Sequence, residues 1–299
     1  MSKRAKKKTA IGIISVGVIV LLSASSLWGM TAKKVIENME QACKKQTKDI
    51  EDMTIFNKLA GGMAMLAGES ITYQKRARID GKTIYKIRNE TKIMGKTMVT
   101  IYDGIYNWSI DPASGEVKKK KAEFTPDPTR LWRNLKPSET HYLGTEEIEG
   151  GKAHLLKIDN PFKVVGKPST KALQEGESSA EGKIWVNAGN WTLMRTLMVI
   201  SGKSKEGKET IIKINMELKD YRSVNGMLFP YRMTTTTEID MPGLSEEEKQ
   251  MMQSFMGVMG SYEIITTDVK VNNGLSDDLF DGTKLKPGKS MFQIPMPQS

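Results

Sequence analysis

The side chains able to do chemistry in this 299-residue chain are few: two histidines, His141 and His154, and one cysteine, Cys43. Either histidine could act as a general base. Each falls in its own strand-like segment with no acid or nucleophile at a spacing that predicts contact, so both read as ordinary surface or core residues. A lone cysteine cannot close an internal disulfide, and this His and Cys count rules out multi-ligand zinc sites and iron–sulfur clusters. The acidic clusters Glu146-Glu147, Glu246–Glu248 and Asp277-Asp278 read as solvated turns and helix N-terminal charges. There is no G-x-S-x-G elbow, no H-E-x-x-H and no glycine fingerprint between a strand and a helix. Gly282 to Ser290 (GTKLKPGKS) resembles a phosphate loop, but five residues rather than four separate its glycines, and it lies in a proline-containing tail with no helix after it. The triplets at Asn89, Asn107 and Asn190 match glycosylation acceptors, a pattern common by chance. The sequence therefore predicts no catalytic residue, no metal and no cofactor.

The formal charge of +10 suggests nucleic acid until it is placed along the chain. Five cations and no acid stand in the first eight residues, followed by an uncharged stretch from Thr9 to Gly29 with an apolar heart from Ile11 to Leu22. Small residues close it. This is the pattern of a secretory signal peptide over residues 1–29, with cleavage favoured after Gly29. The alternative is an uncleaved anchor, since 21 residues are long enough to span a bilayer. No cysteine follows the apolar segment to carry a lipid. Without residues 1–29 the chain keeps 40 Lys+Arg against 35 Asp+Glu, and much of that excess is the run Lys118–Lys121, which reads as a solvated loop. Nothing aromatic interleaves with that run to stack bases, so no nucleic-acid partner is expected.

The elements that must position any site follow from periodicity. Thr31 to Gln46 reads as a helix, with Thr31 as N-cap and Val35, Ile36, Met39, Ala42 and Cys43 on one face. The period then changes to two. Ile71, Tyr73, Ala77 and Ile79 alternate with Thr72, Gln74, Arg76 and Arg78, and Asp80-Gly81 turns the chain into a second strand over Lys82–Thr91. Further strands are expected at Thr97–Tyr102, Ile105–Ile110, Thr140–Glu149, Lys152–Ile158, Gly182–Val186, Leu193–Ser201, Glu209–Arg222, Met227–Ile239 and Tyr262–Val271. Asp52–Leu59 reads as a strand followed by a glycine-containing loop, with a second helix as the alternative. Thr125–Pro137 reads as a loop with one helical turn, and Val164–Gly182 as a mobile loop. Ser245 and Glu248 form a capping box ahead of Met251, Met252, Phe255, Met256 and Met259, which predicts an amphipathic helix over Ser245–Met259. The clean alternation of Ile212, Ile214, Met216 and Leu218 with polar residues predicts an antiparallel sheet with one wet face. The sum is a mainly β chain: an antiparallel meander of about ten strands, an N-terminal helix and an inserted late helix.

Composition adds one unusual fact, 20 methionines against 7 Phe and 8 Tyr. Methionine is unbranched and polarizable and suits surfaces that fit more than one apolar shape. Met98, Met194, Met198, Met216, Met227 and Met233 fall on strands, and Met251, Met252, Met256 and Met259 on the late helix. They are either core filler or the lining of an adaptable apolar cavity for acyl chains.

At this point a resemblance appears. Asp103-Gly104 with Trp108 and Pro112 resembles the DG-x-x-x-W-x-x-x-P hairpin of LolA-type outer-membrane lipoprotein carriers, and Phe124-Thr125-Pro126 with Leu131 resembles that family's proline-bearing loop. Asp220-Tyr221-Arg222 with Asn225-Gly226 and Pro230 is similar to a signature of the related sorting proteins, and Asp268–Asn272 with Phe280 to their closing strand. The resemblance spans about Thr31 to Phe280. It implies a single unclosed antiparallel β half-barrel over residues 30–281, its concave face covered by the two helices, and a tail over 282–299. Two features depart from it. The family's early Arg-Pro latch has no counterpart at Ile79-Asp80-Gly81-Lys82, and the late helix and the 164–182 loop are extra.

The resemblance implies a periplasmic carrier, exported by its signal or membrane-anchored if the signal stays. It would hold the acyl chains of a lipid or lipoprotein and exchange them with an inner-membrane release complex or an outer-membrane acceptor. No reaction is implied. Met98, Trp108, Leu131, Trp132, Trp185, Leu197, Met216, Met227, Met252 and Met256 are the residues expected to line its apolar cavity. The alternative function is an envelope-stress sensor or scaffold that uses the same half-barrel to bind a protein.

Overall fold

Alternating segments joined by tight turns pair with their neighbours, and here they build one antiparallel sheet. The computed structural model describes residues 29–62, 67–93, 95–111, 114–123, 126–165, 177–203, 209–242, 245, 247, 250–251 and 260–287. The strands are β1 (Asp52–Gly61), β2 (Ala67–Ile79), β3 (Lys82–Ile93), β4 (Lys96–Tyr102), β5 (Tyr106–Ile110), β6 (Val117–Lys121), β7 (Thr140–Ile148), β8 (Gly151–Ile158), β9 (Glu177–Asn187), β10 (Leu193–Lys203), β11 (Glu209–Val224), β12 (Met227–Asp240) and β13 (Ser261–Val271). Among the described residues thirteen strands replace the expected ten or so. Asp52–Gly61 is a strand and not a helix. The lysine run is a strand as well, because β5 supplies a ladder, and lysines on an edge strand discourage further pairing. Residues 177–181, expected in a loop, extend β9 along β10.

Strands adjacent in sequence are adjacent in the sheet except β6 and β7, and β1 pairs with β13 to join the two arms of the meander. The edges β6 and β7 do not pair with each other, so the sheet is not closed into a barrel. Two expected hairpins have both central residues in the left-handed region, Asp80-Gly81 (φ 50° and 74°) and Asn225-Gly226 (φ 49° and 80°), as a two-residue turn of this kind requires.

The N-terminal helix α1 (Ala32–Gln46) starts where expected: the Thr31 hydroxyl accepts from the Lys34 amide at 3.2 Å. Val35, Ile36 and Met39 are buried, and the helix packs against a 3₁₀ segment, Pro128–Asn134, and against β7 and β12. A short helix α2 (Phe162–Val165) follows β8. These elements define the inner face of the sheet. Of the expected late helix, Glu247, Gln250 and Met251 are helical and Met251 is 72% exposed, while residues 252–259 lie outside the described residues. Among the described residues no helix is long and apolar enough to cross a membrane.

The outer face of β2–β5 is covered by the chain after β13. Lys75 donates to the Leu275 carbonyl and Arg88 to that of Leu279, while Phe280 and Ile101 are both 1% exposed. Asp52, buried at the start of β1, anchors this strap by accepting from the backbone amides of Asn273, Gly274 and Leu275 at 2.6, 3.0 and 3.0 Å. Asp52→Ala leaves three donors without their acceptor. It is expected to cost about 2–4 kcal/mol and to expose the strap at Lys284 to trypsin, read by thermal melts and limited proteolysis.

Two compartments on the inner face

Register fixes which side chains share the inner face. Across β11, β12 and β13, Leu218, Met233 and Ile264 form one rank, and Met216, Thr235 and Tyr262 form the next, two residues along each strand. The first rank borders one cavity and the second borders another, so the two compartments adjoin.

The second compartment, about 280 Å³, is apolar. Ile184, Thr196, Met198, Ile214, Met216, Thr235 and Tyr262 supply its sheet wall, while Leu131 of the 3₁₀ segment and Pro161 and Val164 at α2 form its roof. Asn134 ties these roof elements together by donating to the Val164 carbonyl at 2.9 Å. Gly182 is required here: a Cβ would stand 2.9 Å from the Pro161 side chain. Lys183 is the one charged residue among the described residues lining this cavity.

The first compartment, about 390 Å³, has a different chemistry. On β2 the polar row turns inward, and on β3 Asn89 and Thr91 do so beside buried Ile87. Ser70, Thr72 and Gln74 face Thr91, Asn89 and Ile87 across the ladder, and Thr100 of β4, Asn57 of β1 and Thr266 of β13 continue the surface. Thr72 donates to Asn89 at 2.8 Å and Thr266 to Asn57 at 3.0 Å. Apolar contacts come from Ile55, Leu59, Leu218, Phe229 and Met233.

Successive residues of the 3₁₀ segment serve both compartments. Asp127 and Thr129 border the first, and Leu131 the second. Between them Arg130, 1% exposed, pairs with buried Asp127, donates to Gln74 Oε1 at 2.8 Å and lies 3.6 Å over the Tyr85 ring. Burial opposes the guanidinium charge most strongly, but Asp127, with Cys43 and Tyr85 adding to it, holds the Arg130 pKa above its ordinary value. Asp127 also accepts from the Thr129 amide and hydroxyl at 2.9 and 2.6 Å, capping the segment.

Of the residues expected to line the cavity, the structure brings Leu131, Leu197 and Met216 together around the second compartment. Leu197 pairs with Asn215, so strand alternation turns its side chain away from Thr196 and Met198. Met98 stands on the inner face of β4 opposite Thr91, beside the first compartment. Trp132 and Met227 pack instead in a crevice of about 40 Å³ under α1, with Met39, Cys43 and Phe229. Trp108 is on the outer face: its indole N–H donates to Asp103 at 2.7 Å, and a Cβ on Gly282 would stand 2.2 Å from its ring. Asp103 also accepts from the amides of Ile105 and Tyr106, so the DG-x-x-x-W motif is a self-capped hairpin under the strap. Trp185 is likewise outward, paired in register with Arg195 and Leu155 and donating to Glu146 at 2.5 Å. Met252 and Met256 lie outside the described residues. Met198, one of the strand methionines weighed as cavity lining, also stands in this wall, whereas Ile184 and Ile214 were missed, although the Ile212–Leu218 alternation already places Ile214 beside Met216. The reading also missed the Asp127–Arg130–Gln74 cluster, for which no local signal exists.

The histidines are separate. His141 pairs with Asp159 at 2.7 Å on the surface, while His154 stacks on Trp191 at 5.0 Å and stands 3.2 Å from the Tyr142 hydroxyl. Burial, with Lys152 nearby, pulls the His154 pKa below its ordinary value of about 6.5. The unfolded chain takes up this proton near pH 6.5 and the folded chain only at lower pH. Stability is therefore expected to be complete above pH 6.5 and to fall as the pH drops below it. Melting curves between pH 7.5 and 5.5 check this, and His154→Phe should flatten the dependence.

No family model matches the chain, and no curated protein matches it in sequence. Among solved structures it is similar to a domain described as an outer membrane lipoprotein-sorting protein from Vibrio parahaemolyticus, at 14% identity and a TM-score of 0.48, covering 84% of this chain and 97% of that one. It is also similar to a DUF1329 family protein from Desulfovibrio piger, at 16% identity and a TM-score of 0.48, covering 85% and 98%. The lipoprotein LppX of Mycobacterium tuberculosis is similar at 10% identity and a TM-score of 0.28, covering 83% of this chain and all of that one.

Proposed function

We propose that this chain is an exported carrier that holds an acyl chain of a lipid or lipoprotein in the second compartment and releases it unchanged. The observation that carries this is the pairing of a methionine- and isoleucine-lined wall with a separate roof of Leu131, Pro161 and Val164 over a cavity of about 280 Å³. Each methylene moved from water into such a site is worth about 0.8 kcal/mol, so an alkyl chain repays the wetted wall it displaces. Residues 1–29 would direct export to the periplasm, and residues 30–281 would form the carrier domain. An inner-membrane complex and an outer-membrane acceptor would load and unload it.

Titration of the purified chain with the apolar dye N-phenyl-1-naphthylamine tests the proposal. The expected result is saturable binding near one dye per chain, competed by dodecanoate. Absence of saturable binding, or binding that dodecanoate leaves untouched, contradicts it.

A further inference from the structure

We infer that the first compartment receives an uncharged head, rich in hydroxyl or amide groups, of the same amphiphile whose chain fills the second. This deepens the carrier proposal above and rests on it. The adjoining ranks on β11–β13 place the two cavities one step apart along the same three strands, so one molecule can lie across both. The Leu218–Met233–Ile264 rank is still apolar, and the chemistry changes past it, toward β1–β4. Beyond it the wall carries Asn57, Thr72, Asn89, Thr91, Thr100 and Thr266, all neutral donors or acceptors. Thr72 bonds Asn89 and Thr266 bonds Asn57, but the hydrogen-bonding capacity these pairs leave over would lose water under an alkyl chain, which makes the wall a poor surface for one. The same side chains suit hydroxyl and amide groups, which replace that water one hydrogen bond at a time.

Charge sets the second half of the inference. No Lys, Arg or His lines the first compartment among the described residues, so an anionic head would find no counter-charge there. The one carboxylate in its lining, Asp127, is already paired with Arg130 and hydrogen-bonded by Thr129, which leaves no free acid for a cationic head. A neutral head is the class that both conditions admit.

Displacement of bound N-phenyl-1-naphthylamine separates this inference from the carrier proposal. n-Dodecyl-β-maltoside and dodecyl phosphate carry the same chain on a neutral hydroxyl-rich head and an anionic one, and both are added below their micelle concentrations. The maltoside is expected to compete at about three- to tenfold lower concentration, the ratio one or two retained hydrogen bonds supply. The double variant Thr72→Val with Asn89→Leu should erase that ratio while leaving dye affinity within about twofold. Thr91→Val with Thr100→Val, nearer the compartment's rim, should reduce the ratio and covers a failure of the first variant to fold. Equal competition by the two heads, or stronger competition by dodecyl phosphate, overturns the inference and leaves the carrier proposal standing. Unchanged ratios in folded variants overturn it as well. Failure of the dye itself to bind overturns both.

Discussion

Asp127→Leu is expected to destabilise the fold by about 3–5 kcal/mol, because it strands the Arg130 guanidinium, 1% exposed, without its counter-charge. Arg130→Met should cost a similar amount by stranding the carboxylate and freeing Gln74 Oε1. Combining Asp127→Leu with Arg130→Met removes both charges and should recover most of the loss, since two well-packed apolar side chains need no partner. The triplet is a double-mutant cycle read by denaturant melts. Losses that simply add would show that the pair is not coupled. The same variants should weaken dye binding more than their stability explains, because the 3₁₀ segment that Arg130 pins to β2 and β3 walls both compartments.

The second large effect belongs to the wall. Ile214→Asp places a carboxylate in the apolar compartment opposite Met198 and Thr237, on a side chain that is only partly buried, so the sheet should fold. A bound alkyl chain would have to desolvate that charge, a cost of several kcal/mol, and dye affinity is expected to fall at least about a hundredfold. Glu217→Ala on the same strand serves as the comparison. It pairs with Lys219 on the outer face at 2.8 Å, and its loss should leave dye affinity unchanged. Its carboxyl is held below the ordinary value first by the Lys219 hydrogen bond, so the change costs some stability above the ordinary carboxylate range and none well below it.

Much of the fold was legible because local rules and tertiary outcome agree. The N-cap at Thr31, the left-handed pairs Asp80-Gly81 and Asn225-Gly226, and the alternation from Ile212 to Leu218 each have one sterically favoured outcome, which the sheet adopts. The lysine strand β6 was not legible, because its conformation comes from the ladder of β5 rather than from its own propensity. The site was harder. Alternation assigns residues to two faces but does not say which face is inside. On β2 the inward row is Ser70, Thr72 and Gln74, a choice made possible by a strap at residues 273–284 that covers the other side. Trp108 and Trp185, large and apolar, were assigned to the cavity for the same reason and stand outside it, each held by a carboxylate. Arg130 and Asp127 lie three residues apart in sequence, yet their partners Gln74 and Tyr85 come from distant strands, which spacing alone does not reveal.

Native mass spectrometry of the full chain, expressed and purified without detergent from a bacterial envelope, tests the central claim most directly. The prediction is a population whose mass exceeds the polypeptide by one acyl-bearing molecule, released as an alkyl-chain fragment on activation and absent from Ile214→Asp. A chain that carries only its polypeptide mass and takes up neither N-phenyl-1-naphthylamine nor dodecyl maltoside when offered them would contradict it.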